Sequence, residues 1–246
     1  MRAEVIAIGD ELTSGQRVDT NSAWISARLL EIGVPVLHHS TVGDDLDANI
    51  QVFRQAIDRA DVIVATGGLG PTADDLTRDA VAAAVGAELE LHQPSLEHIR
   101  NLFARRGSQM PESNQVQAMF PQGSNPIPNP EGTAPGIRMD VPRAGRNACR
   151  MVCLPGVPAE MKQMWEATAA GDLIATGGES KTIRHRVIKC FGAGESKLEG
   201  MLPDLIQRGR NPSVGITVHD ATRGWRLPSM EASEEACRAA SASTER

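Results

Sequence analysis

Short apolar runs alternate with longer amphipathic segments through the first third of the chain. The runs EVIAI (4–8), VPVLHHSTV (34–42) and VIVAT (62–66) have the length and β-branched composition of buried strands. A polar loop follows each run, and apolar residues then recur at helical spacing, as at Ile50 and Phe53. This alternation predicts an α/β fold, a three-layer sandwich whose mostly parallel sheet has helices on both faces.

The loops after these three strands carry acidic residues. Right-handed crossovers place such loops at one edge of a parallel sheet. Asp10 and Glu11 follow the first strand, Asp44 and Asp45 follow the second, and Asp74 and Asp75 follow the third. Carboxylates from three strand ends suit a hard divalent cation, so the sequence predicts a metal site. The alternative is simple helix capping, which fits Asp45 better than Asp44.

The loop TGGLGPTADDLT (66–77) carries the strongest local signal. It lies between a predicted strand and a predicted helix, where glycines allow sharp turns and backbone N–H groups attract an anion. The alternative is a capping box of Thr72 and Asp75, with the glycines serving only the turn. The candidate phosphate-binding residues here are Thr66, Gly67, Gly68, Gly70, Pro71 and Thr72.

A change of composition near residue 175 predicts a domain boundary. We expect a first domain over 1–172, a small α/β domain over 180–222, and an irregular tail over 223–246, so that either the small domain is incomplete or the tail is divergent. Within the first domain, the Pro- and Gly-rich stretch 123–142 is either a slack linker or a shaped loop.

Composition narrows the functional classes. The formal net charge of −6 argues against a general nucleic-acid binder, which needs a basic face. The four cysteines lack the spacing of a zinc site or a disulfide framework, which favours reduced thiols in a cytoplasm. The apolar run at the amino terminus reaches two acids within eleven residues, which fits neither a signal peptide nor a membrane span.

Four blocks resemble the signature blocks of the competence-damage-inducible CinA family. They occur in the family's usual order, across roughly residues 3–165, and the family's fold is shared by molybdopterin-binding domains. The blocks are GDELTSGQRVDTNS (9–22), TGGLGPTADDLT, NPEGTAPG (129–136) and LPGVPAEM (154–161).

This resemblance implies a function and assigns residues to it. CinA proteins are associated with metal-dependent cleavage of ADP-ribose to AMP and ribose 5-phosphate, and their domains are commonly homodimers or other homo-oligomers. By motif, Asp44 and Asp75 would support the chemistry and hold Mg²⁺, Mn²⁺ or Co²⁺, with Asp10 or Asp74 as further ligands. Besides the glycine loop, the resemblance places these residues at the pocket wall: Ser14, Asn129, Gly132, Thr133 and Pro155.

The sequence departs from full-length family members at its carboxyl end. The chain lacks the amidase domain associated with nicotinamide mononucleotide deamidation, so we expect no deamidase activity from it. Two other functions compete with pyrophosphate hydrolysis. One is molybdopterin or pterin-phosphate binding with nucleotidyl transfer, and the other is a non-catalytic binding module.

Overall fold

The computed structural model describes residues 1–176, 182–190, 200, 215–219, 222–231, 235 and 237. The chain divides into two compact units. The first is formed by Met1–Leu29 and Val34–Thr176, and the second by Leu30–Gly33 and Gly177–Arg246.

The first unit contains a six-stranded sheet and a separate two-stranded ribbon. Its strands are β1 (Ala3–Ile8), β2 (Val36–Val42), β3 (Val62–Thr66), β4 (Leu89–Leu91), β5 (Met119–Pro121), β6 (Asn125–Ile127), β7 (Gly136–Arg143) and β8 (Arg146–Leu154). The sheet order is β2-β1-β3-β8-β7-β6, and the ribbon pairs β4 with β5. The first four strands of the sheet run parallel, whereas β7 and β6 are antiparallel to their neighbours.

The helices of this unit connect the strands. They are α1 (Asp10–Thr13), α2 (Thr20–Glu31), α3 (Leu46–Arg59), α4 (Thr77–Val85), α5 (Gln93–Arg105), α6 (Pro158–Met164) and α7 (Ala170–Thr176). A 3₁₀ segment covers Glu112–Ala118, and a π-helical turn at Trp165–Ala169 joins α6 to α7. The predicted α/β fold with its mostly parallel sheet is confirmed.

The centre of the sheet is buried on both faces. All six residues of β1 and all five of β3 are buried, as expected for parallel strands covered by helices. α3 contributes Phe53, Ala56 and Ile57 to the main apolar core. α4 ends at Gly86, whose positive φ of 73° suits the left-handed cap that its sequence predicts.

The Pro- and Gly-rich stretch 123–142 is partly strand. Its interpretation as linker or loop throughout is wrong, because β6 and most of β7 lie within it. These strands form through pairing with each other and with β8, as between Ile137 and Cys153. Ile127 and Ile137 are buried, so packing against distant residues overrides the local preference for turns.

The second unit has a three-stranded antiparallel sheet in the order β10-β11-β9. Its strands are β9 (Thr182–Cys190), β10 (Gly215–His219) and β11 (Thr222–Glu231). The predicted irregular tail from residue 223 is therefore wrong up to residue 231, because β11 pairs with both other strands. The segment GESKLEGMLPDLIQ (194–207), whose sequence predicts a helix interrupted by Pro203, lies outside the described residues except for Gly200. In the described part of the chain, no helix has the length and apolar character required to span a bilayer.

Candidate functional site

A cleft of about 570 Å³ lies where β1, β3 and β8 end. The loops after these strands form its floor and walls, because parallel strands deliver their carboxyl ends to one edge. Its lining residues are Ile8, Gly9, Glu11, Arg17, Asp44, Gly67, Gly68, Leu69, Gly70, Pro71, Asp74, Asp75, Gln117, Thr133, Ala134, Pro155, Gly156, Val157, Pro158 and Glu160.

Asp10 and Asp44 join the loops that follow β1 and β2. The N–H of Asp10 donates to Oδ2 of Asp44 at 3.0 Å, and the N–H of Asp44 donates to Oδ1 of Asp10 at 2.9 Å. Each carboxylate thus keeps one oxygen outside this reciprocal pair. Asp45 instead caps α3 by accepting from the Ala48 N–H at 2.8 Å, so the capping interpretation is confirmed for Asp45.

The environment of Asp44 disfavours its charge. Burial raises the pKa of this carboxyl above the ordinary 3.8, and the nearby negative charges of Asp10, Asp74 and Glu11 raise it further. The hydrogen bond from the Asp10 N–H opposes this shift without reversing it. A cation placed among these carboxylates would relieve their repulsion.

Asp75 holds the glycine loop in shape. Its Oδ1 accepts from the Gly70 N–H at 2.7 Å, and its Oδ2 accepts from the Thr72 N–H at 2.9 Å. The Thr72 hydroxyl also donates to Oδ2. Asp75 therefore pairs with Thr72 as the alternative of a capping box predicts, although α4 itself begins later, at Thr77.

The glycine loop also packs tightly against β1. Gly67 has φ of 108°, and a Cβ atom added there would lie 2.2 Å from the backbone oxygen of Ile8. Only glycine fits this position without movement of the backbone. The N–H groups of Gly68 and Leu69 have no acceptor among the described residues, so these two donors of the loop remain available to an anion.

A hydroxyl and an amide connect three segments behind the cleft. The buried Thr66 hydroxyl donates to the Pro155 oxygen at 3.1 Å. The Asn21 side chain donates to Thr66 Oγ1 at 3.2 Å and to the Gly156 oxygen at 2.9 Å. Asn21 is thus a cross-link rather than a helix cap, and the cap of α2 comes from Asp19, which accepts from the Ser22 N–H.

The segment 129–136 forms the remaining wall. The buried Asn129 amide donates to Ala134 O at 2.9 Å and to Glu160 Oε2 at 2.7 Å. Its carbonyl oxygen accepts from the Gly132 N–H at 2.9 Å. This network presents Thr133 and Glu160 to the cleft.

The cleft lining is strongly acidic. Arg17 is the one cation among the described residues that line it, against the five carboxylates of Glu11, Asp44, Asp74, Asp75 and Glu160. None of these carboxylates forms an ion pair within the described ranges. A phosphorylated ligand would therefore meet net repulsion unless a cation accompanied it.

The structure brings most of the predicted site residues together. Those that line the cleft are Asp44, Asp74, Asp75, Gly67, Gly68, Gly70, Pro71, Thr133 and Pro155. Those that lie outside its lining are Ser14, Asp10, Thr66, Thr72, Asn129 and Gly132. Asp10, Thr66, Thr72, Asn129 and Gly132 still contact lining residues or their neighbours, whereas Ser14 lies exposed at the end of α1.

Glu11 is predicted among the acids after the first strand, and the structure places it in the cleft lining. The sequence does not single out Arg17 and Gln117, and the block that contains Glu160 favours a structural turn when taken alone. Glu11 and Glu160 lie inside the signature blocks 9–22 and 154–161, and this position could have indicated that they belong to the site. Gln117 comes from a separate 3₁₀ segment and had no such signal. No group of three His, Cys, Asp or Glu side chains in the described residues is arranged to hold a metal ion.

Comparison with known proteins places this fold and cleft in a class. The family described as "Probable molybdopterin binding domain" matches residues 4–175. The family described as "Damage-inducible protein CinA KH domain" matches residues 185–246, which include all three strands of the second unit except the first residues of β9.

Comparison with individual relatives identifies the family more specifically. A "CinA-like protein" of Frankia casuarinae is 41% identical over 213 residues, or 85% of this chain and 48% of that protein. A "Putative competence-damage inducible protein" of Geobacillus sp. is 38% identical over 95% of this chain and 55% of that protein. The crystal structure of a CinA protein of unknown function from Thermoplasma acidophilum matches 69% of this chain and 96% of that one, with a TM-score of 0.62 and 34% identity.

The first unit is thus a domain of the molybdopterin-binding class. The chain belongs to the CinA family, as its signature blocks predict. It spans about half the length of the relatives from Frankia and Geobacillus.

Proposed function

We propose that the cleft binds a nucleotide-like diphosphate together with a divalent cation and hydrolyses the diphosphate linkage. ADP-ribose, cleaved to AMP and ribose 5-phosphate, is the substrate we assign. The observation that carries this proposal is the group of unpaired carboxylates around Asp44, delivered by the loops after β1, β2 and β3. Such a group favours a cation, and a cation in turn makes the acidic cleft suitable for phosphate.

The available ligands fit Mg²⁺, Mn²⁺ or Co²⁺ in one particular way. Mg²⁺ is commonly held by one or two carboxylates, several waters and the oxygens of a bound phosphate, rather than by a complete protein cage. Asp44 and Asp74 would serve as the carboxylate ligands, and Asp10 retains a further oxygen. Asp75 is less suited because its oxygens already accept three donors. When bound, the cation would offset charge that develops on the phosphate oxygens.

The chain's own groups would position the substrate. The N–H groups of Gly68 and Leu69 would donate to one phosphate, and the Arg17 guanidinium would pair with the phosphate charge. A neighbouring cleft carboxylate that does not hold the cation would accept a proton from water as the water oxygen bonds to phosphorus, while the P–O bond of the linkage breaks to release AMP.

Binding of a pterin phosphate is the second candidate. The description of the family that matches residues 4–175 favours it. The cleft also contains apolar atoms of Leu69, Ala134 and Val157, against which a flat ring can lie. Both candidates require a phosphate group, so the rest of the ligand distinguishes them.

Release of AMP from ADP-ribose by the purified chain tests the proposal. We expect release with Mg²⁺, Mn²⁺ or Co²⁺ and none with a chelator, measured by chromatography of the nucleotides. Asp75→Asn should reduce turnover by loosening the loop, since an amide offers one acceptor oxygen in place of two. If no metal supports AMP release and a pterin phosphate raises the melting temperature, binding of a pterin phosphate becomes the better assignment.

A further inference from the structure

A fully buried arginine lies beneath the glycine loop. Arg78, on the first turn of α4, is 0% exposed, although arginine is almost never fully buried unless it is paired. Its Nη2 donates to the Leu69 oxygen at 2.7 Å and its Nη1 to the Gly70 oxygen at 3.3 Å. Its Nε has no hydrogen-bond partner in the part of the chain that the structure describes.

The cation keeps its charge in this position. Burial lowers the pKa of Arg78 to about 10, and the negative charges of Asp75 and Asp79 limit the fall. The guanidinium therefore remains protonated near neutral pH. Asp75 and Asp79 do not form ion pairs with it within 4 Å, and its direct partners are the backbone oxygens of the loop.

Arg78 and Asp75 hold the same peptide group from its two ends. The carbonyl of Leu69 accepts from Arg78, and the N–H of Gly70, in the same peptide plane, donates to Asp75. Gln117 adds a longer contact of 3.4 Å to the Leu69 oxygen. The carbonyls of Leu69 and Gly70 are thus engaged, whereas the N–H groups of Gly68 and Leu69, two residues of the cleft lining, have no acceptor among the described residues.

We propose that Arg78 is a positioning residue for an anionic ligand of the cleft. It fixes the orientation of the loop through two carbonyls and offsets the negative charge of Asp75, which lines the same cleft. Preorganised backbone donors over a buried positive charge bind an anion with little reorganisation. This inference rests on the proposed phosphate site, but not on hydrolysis or on ADP-ribose as the substrate.

Binding of inorganic pyrophosphate and of inorganic phosphate, measured by calorimetry with Mg²⁺ present, tests the inference. Arg78→Met keeps much of the side-chain volume and removes the charge. We expect it to weaken pyrophosphate binding by about tenfold or more, and phosphate binding by a smaller factor, because an electrostatic effect increases with ligand charge. Loosening of the loop alone would weaken both by the same factor.

Arg143→Gln is the matched control. Its side chain is 8% exposed and also donates to backbone carbonyls, those of Ile57, Ala60 and Asn147, as well as to Asp61, but at the amino-terminal edge of the sheet, away from the cleft. We expect it to lower the melting temperature without changing the affinity for either anion. Arg78→Lys keeps the charge, and it should preserve the wild-type ratio of the two affinities even if Arg78→Met fails to fold.

Three results would overturn the inference. One is an equal loss for both anions in Arg78→Met, the second is a loss no larger than that of Arg143→Gln, and the third is a changed affinity ratio in Arg78→Lys. If wild type and Arg78→Met bind pyrophosphate equally well, the inference about Arg78 is wrong but the proposed function is unaffected. Wild-type protein that binds neither anion would remove the proposed function as well.

Discussion

Acidic side chains in the cleft and acidic side chains elsewhere in the first unit have opposite surroundings. Away from the cleft, arginine pairs with Glu4, Asp61, Asp140 and Asp172. The pKa of Glu4, of Asp61 and of Asp140 is held below its ordinary value by hydrogen bonds that include one from the arginine partner, although burial acts in the other direction.

The cleft carboxylates lack such partners. Within the described residues, no lysine, arginine or histidine forms an ion pair with Glu11, Asp44, Asp74, Asp75 or Glu160. The pKa of Asp44 is raised rather than lowered. The same chain thus pairs its structural acids with arginine and leaves the acids of the cleft without a cationic partner among the described residues. This contrast supports the proposed cation site.

Removal of one cleft charge has the largest expected effect. We expect Asp44→Asn to reduce turnover of ADP-ribose by a factor on the order of 10²–10⁴, because it removes a charged ligand of the proposed cation. The same variant should melt slightly higher near neutral pH, since the raised pKa means that folding disfavours the charged Asp44. Initial rates and thermal unfolding measure the two effects.

The pH dependence of stability without a cation sharpens this expectation. The folded pKa of Asp44 lies above the ordinary 3.8, so the higher melting temperature of Asp44→Asn should approach that of wild type as pH falls through the folded pKa towards 3.8. Asp45→Asn is the matched control, because asparagine also caps a helix and Asp45 does not line the cleft. Equal rates for the two variants would contradict the role given to Asp44.

Removal of one structural charge should affect stability instead. Glu4 is 0% exposed and accepts from Arg59 Nε at 2.7 Å, from Arg59 Nη2 at 2.6 Å and from the Ser40 hydroxyl at 2.7 Å. We expect Glu4→Gln to lower the free energy of unfolding by about 1–3 kcal/mol through loss of charge-assisted hydrogen bonds. Chemical denaturation at pH 7 measures this change.

Acid titration of stability provides the second test of Glu4. Its folded pKa lies below the ordinary 4.5, so its stabilisation is present above 4.5 and is lost as pH falls from there through the lower folded pKa. The difference in free energy of unfolding between wild type and Glu4→Gln should therefore become smaller as pH falls through that interval. Asp140→Asn, at a pair whose carboxylate is 51% exposed, should change stability by less than about 1 kcal/mol. A constant difference across the interval would contradict the assignment.

Addition of a cation alone has the smallest expected effect. Mg²⁺ at about five times its dissociation constant stabilises a folded protein by about 1 kcal/mol, which corresponds to a rise of roughly 2–4 °C in melting temperature for a protein of this size. We expect this rise in wild type and a smaller one in Asp44→Asn. A rise of equal size in both proteins would place the cation elsewhere.

The fold was predictable where local pattern and tertiary packing agree. The runs that become β1 and β3 are apolar throughout, and both strands are buried in the sheet. Position at strand ends then predicts that Asp44, Asp75 and the glycines meet in one cleft.

The remaining features depend on distant residues. β6 and β7 arise from pairing that overrides prolines, and β11 contains Pro228 although it is the central strand of its sheet, where proline argues against a strand. Arg78 reads as an ordinary exposed arginine on a helix, and only the fold reveals its burial. That Asp75 accepts hydrogen bonds from the Gly70 and Thr72 N–H groups likewise becomes visible only when the loop is folded.

The cross-link behind the cleft has a consequence for the order of folding. Its hydrogen bonds join residues 45, 89 and 135 positions apart along the chain. Contacts of such high sequence separation form late, after the entropy of closing long loops has been overcome. The cleft should therefore be completed in the final stage of folding, and intermediates that contain only the first β/α units should not yet bind ligand.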